Sequence, residues 1–589
     1  MIIFITCYNK LINKGATFMK NMKKLFAGLL CITIILSGCT SNNPSKSSNV
    51  MYEIPQAKEE IIPQHDDFDF KDMKYERPDI DGIYAKINDT IDKAKQSGQQ
   101  DSVLSQYDQI LKALQNYDQM QVIASIHNHL DLTDTYYEEE NQLLDNEFVK
   151  LDNRMNEMTK IIMESEYKDA FVKKMGQAFI DRYEVNRKLN SPEIEALSEK
   201  ETKLINQYNK RSAANDYTTI KDGKTVTIDD LDLSFFADIP AYYEIYEKRN
   251  KELGGIYQEL VKTRVEIAKK LGYESYSDYA YEVLKRDYSK EDAAKFEEKV
   301  LKYIAPLYQK LNSKYSDKIH ALHDGQVDVA GGMPYLEKAL QSEFPKAMQD
   351  AFAYMKQHGL YVYDNQKNML HAGYTTIIGN EPFMFINTSD YKDPGTMFHE
   401  FGHYYNFFLM RDTIWNDSNN LDLAEVHSQG LETLMYAYYK DIYGENAELM
   451  EISNLMNMLS SILQGTCEDE FQQEVFKKPD MSLEEMNQLH AELYKKYMGY
   501  PVEYEWVDIH HHFETPFYYI SYATSAASAL EIWMMSMHDR EDALQAYRNI
   551  TQYTLNTQYL EPLKASGLSN PFDSDLIKNI ADQFTKQFL

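Results

Sequence analysis

From Ile83 onward the chain repeats one pattern: apolar residues return every three or four positions with charge between them. "IYAKINDTIDKAKQ", "VLSQYDQILKALQNYDQMQVIASIHNHL" and "NEFVKLDNRMNEMTKIIM" all carry it, and a helix of 3.6 residues per turn gathers such residues on one side. The spacing predicts long antiparallel helices packed by their apolar stripes. It breaks at 220–231, "IKDGKTVTIDDL", where Asp222-Gly223 is a hairpin turn signal between short β-prone pieces. It breaks again at 360–389, "LYVYDNQKNMLHAGYTTIIGNEPFMFINTS", whose Tyr, Ile and Phe with Gly and Asn interruptions predict two or three strands. Helical spacing then returns to the C-terminus. With 589 residues, 43% hydrophobic and 13% aromatic, the chain can bury several domain-sized cores. The expectation is a mostly α protein with a small sheet just ahead of residues 396–408.

The N-terminus carries different information. From Met19, "MKNMKKLFAGLLCITIILSGC" has a basic start at Lys20, Lys23 and Lys24 and an apolar run from Leu25 to Leu36, which predicts an export signal too short to span a membrane comfortably. Its end, Leu36-Ser37-Gly38-Cys39, resembles the bacterial lipobox, so Cys39 is the expected lipidated N-terminus. Residues 1–18 read as an upstream extension. The Ser/Asn/Pro-rich stretch after Cys39 predicts a flexible tether, 39–75. A helical N-terminal domain, 76–205, and a catalytic domain, 206–589, follow. The expected location is the outer face of a bacterial cytoplasmic membrane. Of the cysteines at 7, 31, 39 and 467, only Cys39 and Cys467 would survive processing. With Cys39 acylated, no internal disulfide is possible.

Charge excludes one class of partner. Lys and Arg total 61 against 92 Asp and Glu, a net −31, and removing the five lysines of the leader takes the remainder to −36. Nucleic-acid binding needs a basic face, so no nucleic-acid partner is expected.

The stretch "TMFHEFGHYYNFF", 396–408, places His399, Glu400 and His403 in the pattern His-Glu-x-x-His. On a helix, positions i and i+4 share a face, so both imidazoles can reach one point with Glu400 beside them. Two neutral imidazoles are natural zinc ligands, and the intervening Glu can take a proton from water at the metal. Phe398, Phe401, Tyr404, Tyr405 and Phe408 mark the helix as buried, where unpartnered imidazoles and a carboxylate are costly. A catalytic zinc needs a third protein ligand. "LDLAEVHSQGLETLMYAYY", 421–439, offers Glu425, with Asp422, His427 and Glu432 as rivals by spacing.

"FHEFGHYYN" followed by "AEVHSQGLE" resembles the thimet oligopeptidase and oligoendopeptidase F family of zinc metallopeptidases. "IHHHFETPFYYISYATSAASAL", 509–530, is similar to the family's C-terminal active-site segment, most of all to its oligoendopeptidase F branch. The three motifs stand in the family's order over roughly residues 200–589. The resemblance implies a zincin-like fold of two helical lobes around a deep channel. It implies one zinc ion held by His399, His403 and Glu425, with Glu432 behind a ligand, Glu400 as general base, and Tyr522 as oxyanion donor beside His512 or His510.

The implied activity is endopeptidase action on short unstructured peptides by a monomer. Phe385 and Ile386, in the strand "PFMFINTS", are expected to pair with the peptide by edge addition, and Tyr519 to line its path. Two rival readings use the same residues. A carboxypeptidase or dipeptidyl carboxypeptidase would need a grip on the terminal carboxylate, and a non-catalytic peptide-binding lipoprotein would not need an intact metal motif.

Overall fold

The computed structural model describes residues 53–56 and 69–589, short of 177–178, 181–182, 184–193, 215, 232–236, 323–330, 390–393, 412–419 and 555–556. The expected export signal, Cys39 and most of the 39–75 tether lie outside these residues.

A first core is built by α1 (Ile80–Ala94), α2 (Gln100–Leu130), α3 (Thr135–Met163) and α4 (Lys168–Met175). Asp79 and Asp134 start α1 and α3 by accepting backbone N–H groups one turn in, which satisfies donors the helix itself leaves unpaired. Ile83, Ile87 and Ile91, spaced by four, meet Tyr107 and Ile110 of α2 and Leu144 and Leu151 of α3. The far end of α2 belongs elsewhere: Ile123 and Ile126 enter a second, much larger core, and His129 Nδ1 lies 2.8 Å from the Tyr374 hydroxyl.

The expected boundary at 205 falls inside α5 (Glu195–Ser212), and this helix packs on α6 (Ile239–Lys270). Its Tyr208 stacks on Phe513 at 3.6 Å between ring centres and donates to the Val507 carbonyl at 2.9 Å. Amphipathic spacing makes a helix but does not say which core receives it, so α5 joins the second core. The hairpin β1 (Thr219–Lys221) and β2 (Lys224–Val226) forms as the sequence predicts. Asp222 and Gly223 hold φ values of 52° and 76°, the left-handed pair of a type I′ turn.

Then come α7 (Tyr276–Val283), α8 (Lys290–Lys299), a π-helical stretch over Val300–Ile304, α9 (Ala305–Leu322), α10 (Gly332–Glu343) and α11 (Lys346–Gln357). The sheet follows: β3 (Tyr361–Asp364), β4 (Gly373–Ile378) and β5 (Glu381–Asn387) in the order β3-β5-β4, with β5 parallel to β3 and antiparallel to β4. This corrects one expectation. Phe385 and Ile386 lie on the central strand, both are fully buried, and both sides of β5 are hydrogen-bonded to neighbours, so no peptide can add there. Among the described residues, the sheet edge beside the site with no neighbouring strand belongs to β4.

The helix carrying the motif, α12 (Gly395–Leu409), packs over β4 and β5, and α13 (Leu421–Met435) packs on α12. The rest is helical: α14 (Tyr439–Tyr443), α15 (Ala447–Lys477), α16 (Leu483–Met498), α17 (His510–Glu514), α18 (Ile520–His538), α19 (Arg540–Ile550), α20 (Leu560–Ala565) and α21 (Leu576–Phe588). α18 packs against both α13 and α15. Its contact with α15 is close because Gly465 has no side chain; a Cβ there would meet the Tyr519 carbonyl at 2.9 Å. The lead-in is fastened as well: Ile54 packs on the large core, and Asn549 donates to the Pro55 carbonyl at 2.8 Å. Among the described residues no helix is long and apolar enough to cross a membrane.

Candidate metal centre and active site

His399 and His403 project from α12 with their Nε2 atoms 3.2 Å apart. Glu425, from the second turn of α13, brings Oε2 to 3.3 Å from His399 Nε2 and 3.7 Å from His403 Nε2. Two ligand atoms about 2.0–2.1 Å from a tetrahedral zinc stand about 3.3 Å apart, so the three atoms fit such a cation. Among the described residues, these three form the group of His, Cys, Asp or Glu side chains whose ligand atoms converge within 4.8 Å.

The rival positions on α13 face other ways. Asp422 accepts from Tyr288 and Thr524, and His427 Nε2 lies 3.2 Å from the Ile550 carbonyl. Glu432 meets His399 Nδ1 at 2.7 Å. That contact holds a proton on Nδ1 and turns Nε2 toward Glu425 and His403. Ser428 donates to Glu425 Oε2 at 3.1 Å.

One glycine sets the separation of the two helices. A Cβ on Gly402, inside His-Glu-Phe-Gly-His, would lie 2.6 Å from the His427 carbonyl oxygen and from Ser428 Cα. The glycine lets α13 come near enough for Glu425 to reach both imidazoles.

Glu400 is buried beside the ligands, and Thr375 of β4 donates to its Oε2 and to its backbone carbonyl, both at 2.9 Å. Burial pushes its carboxyl up to about 7, against the lowering effects of His399 and Thr375. Burial also drives His403 down to about 4. His399 goes the opposite way: burial disfavours its charge, but its hydrogen bonds to Glu425 and Glu432 outweigh that and hold it well above its usual value. Glu425 is likewise disfavoured as a charge by burial, yet His399 and His403 bring it down to about 2. Without a cation, His399 therefore holds a proton between two carboxylates, and a cation with Nε2 as ligand displaces it.

The third motif reaches the site from α17 and the start of α18. Burial raises both Tyr518 and Tyr522 above the ordinary phenol value, and the charge of Glu425 adds to the rise in each, so both phenols lie within electrostatic reach of that carboxylate. Tyr519 is raised by burial and then by Glu468. The histidine beside the tyrosines is His511: its Nε2 lies 3.5 Å from the Tyr522 hydroxyl, and its ring stacks on Tyr518 at 4.2 Å. Burial takes it down to about 3, so it is a neutral hydrogen-bonding group.

His512 is fully buried, 3.2 Å from Glu468 Oε2, among Trp506, Phe471 and Tyr257. His510 lies edge-on to Tyr208. Successive helical residues point about 100° apart, so one turn of three histidines can turn only one toward Tyr522, and spacing from Tyr522 does not say which. Thr375, Tyr518, His511 and Gly402 had no role in the sequence reading. The His-Gly proximity and the triplet were visible in the sequence, but Thr375 carried no signal.

Residues 70–190 match the family model described as the Peptidase M3 N-terminal domain. An oligoendopeptidase F homolog of Borreliella burgdorferi is 22% identical over 252 residues, 40% of this chain and 40% of that protein, so the match spans well under half of that relative. Among solved structures, PZ peptidase A with inhibitor 2 superposes with a TM-score of 0.70 at 23% identity, covering 88% of this chain and 99% of that one. A putative oligoendopeptidase F from Bacillus anthracis gives 0.67 at 23% identity, covering 89% and 98%. Together these bear out the family resemblance that the motifs carry, and the fold, mostly helical with a small sheet, is shared along nearly the whole length of those structures.

Proposed function

We propose that this chain, which has the fold of oligoendopeptidase F structures and an M3 peptidase N-terminal domain, is a zinc endopeptidase cutting internal bonds of short unstructured peptides. The observation that carries this reading is the convergence of His399, His403 and Glu425 on one point with the protonatable Glu400 alongside. His399, His403 and Glu425 would hold one zinc ion. Bound there, zinc polarises the scissile carbonyl and acidifies a water.

Glu400 takes the proton from the attacking water and later delivers it to the leaving nitrogen. Thr375 holds Glu400 by Oε2, which leaves Oε1 for that exchange. Tyr522, with His511 beside it, donates to the oxyanion that develops as the carbonyl carbon becomes tetrahedral. The peptide lies extended along the free edge of β4, held by backbone hydrogen bonds, so sequence preference is broad. Lobes closing on the site as a channel would admit unfolded segments and refuse folded proteins.

We place the enzyme, as a monomer, on the outer face of a bacterial cytoplasmic membrane, anchored through lipidated Cys39. The reading is tested by incubating the protein from residue 41 with mixed peptides and reading the fragments by mass spectrometry. Internal cuts lost on chelation and in Glu400→Gln are expected. Removal of C-terminal units alone would make the enzyme an exopeptidase, and binding without cleavage would end the enzyme reading.

A further inference from the structure

Arg286 lies in none of the three motifs, yet it ties two of them together. It follows α7, where Lys285 adopts a left-handed φ of 55° and Arg286 donates its backbone N–H to the Tyr281 carbonyl at 3.0 Å. Its side chain is 1% exposed. An enclosed guanidinium is costly unless its charge is answered. Here Nε lies 3.7 Å from Asp422 Oδ2, and the rings of Tyr281 and Tyr288 lie 4.7 and 5.4 Å from Cζ.

The partners are what matter. Asp422 sits one helical turn before Glu425 on α13, and its other oxygen accepts from Thr524 of α18 at 2.7 Å. Nη2 of Arg286 donates to the Phe517 carbonyl at 2.5 Å and to the Ser521 hydroxyl at 3.2 Å. Phe517 has a φ of 65°, a left-handed conformation that costs a residue other than glycine and persists only where neighbours enforce it. Gln472 accepts its N–H and Arg286 grips its carbonyl. The next residue is Tyr518, and Tyr522 stands one turn further on.

We propose that Arg286 is a positioning residue for the reaction proposed above, on which this inference rests: it holds the turn presenting Tyr518 and Tyr522 at a fixed distance from the helix presenting Glu425. The partners of the guanidinium, Asp422, Phe517 and Ser521, include no metal ligand. Nη2 bonds the turn while Nε faces Asp422 as an ion pair, and a lysine ammonium on a flexible stem can answer Asp422 and the Phe517 carbonyl less well together. A tyrosine donor displaced by about 1 Å loses on the order of 10²-fold in rate.

The test compares wild type, Arg286→Gln, Arg286→Lys and Ser521→Ala for kcat and KM on one peptide, bound zinc, and affinity for a phosphinic peptide whose tetrahedral oxyanion mimics the transition state. Arg286→Gln should retain one zinc and a KM within about 3-fold, while kcat and phosphinate affinity both fall by on the order of 10²-fold. Arg286→Lys should regain about 10-fold of each. Ser521→Ala, which deletes one hydroxyl, should show the same paired loss at about 3- to 10-fold. If the Arg286 variants do not fold, Ser521→Ala decides by the same pairing. A wild type that cleaves nothing removes the underlying reaction. A cleaving wild type whose folded variants keep kcat and phosphinate affinity overturns the role of Arg286 alone.

Discussion

Gly402 shows how much a single missing methyl can decide. Placing a Cβ 2.6 Å from the His427 carbonyl forces α13 away from α12, and overpacking of this kind costs about 1–3 kcal/mol. Gly402→Ala should lower the melting temperature and weaken metal binding together, read by thermal unfolding and metal titration. Glu432 acts through its 2.7 Å contact with His399 Nδ1. Glu432→Ala should weaken zinc affinity by about 10- to 100-fold with the fold intact, as measured by chelator competition. Glu400 gives a prediction in pH. Its folded pKa, about 7, lies above its unfolded value, so between about 4.5 and 7 the folded state holds the extra proton and stability falls as pH rises. In metal-free protein, Glu400→Gln should therefore be more stable than wild type above pH 7, by up to about 3 kcal/mol, and equally stable near pH 4. Glu531 and Asp469 are raised by burial into the same window, so the difference between the two proteins is what isolates Glu400.

At the scale of elements, the site is four helices, α12, α13, α17 and α18, with the strand β4 and the turn between α17 and α18 brought to one point. α12 and α13 were legible in the sequence because i, i+4 spacing and a buried flank state what a helix must do with two imidazoles. The sheet was legible as strands but not in its order. β5 reads like an edge candidate because it stands next to the motif in sequence, whereas sheet order is fixed by long-range pairing, which set β3 on one side and β4 on the other. Thr375 gained its role from that order. The His510–His512 turn was ambiguous for a similar reason: which imidazole faces Tyr522 depends on how α17 rotates, and Tyr208 stacked on Phe513 and Glu468 facing His512 fix that rotation. His511→Ala should lower kcat by about 10-fold or more with zinc retained. Truncating His512 should instead lower stability, because it leaves Glu468 with His490 alone inside the core. Activity assays and thermal unfolding separate the two.

For the whole molecule, the N-terminal helices are joined to the site by more than chain connectivity. α2 runs from the first core into the second and ends with His129 against Tyr374, next in sequence to the threonine that holds Glu400. The segment 53–56 is fastened to the C-terminal helices, with Asn549 donating to the Pro55 carbonyl. Cys39→Ser should shift the protein from the membrane fraction to the soluble fraction without changing its cleavage of peptides in solution, as cell fractionation and assay would read. The central claim is that His399, His403, Glu425 and Glu400 together hydrolyse internal peptide bonds. It is tested most directly with a peptide blocked at both ends, acetylated and amidated, offered to zinc-loaded wild type and zinc-loaded Glu400→Gln. The account predicts cleavage within the blocked peptide by wild type and a loss of at least about 10³-fold in Glu400→Gln at equal bound zinc. Equal cleavage by both proteins, or none by wild type, would contradict it.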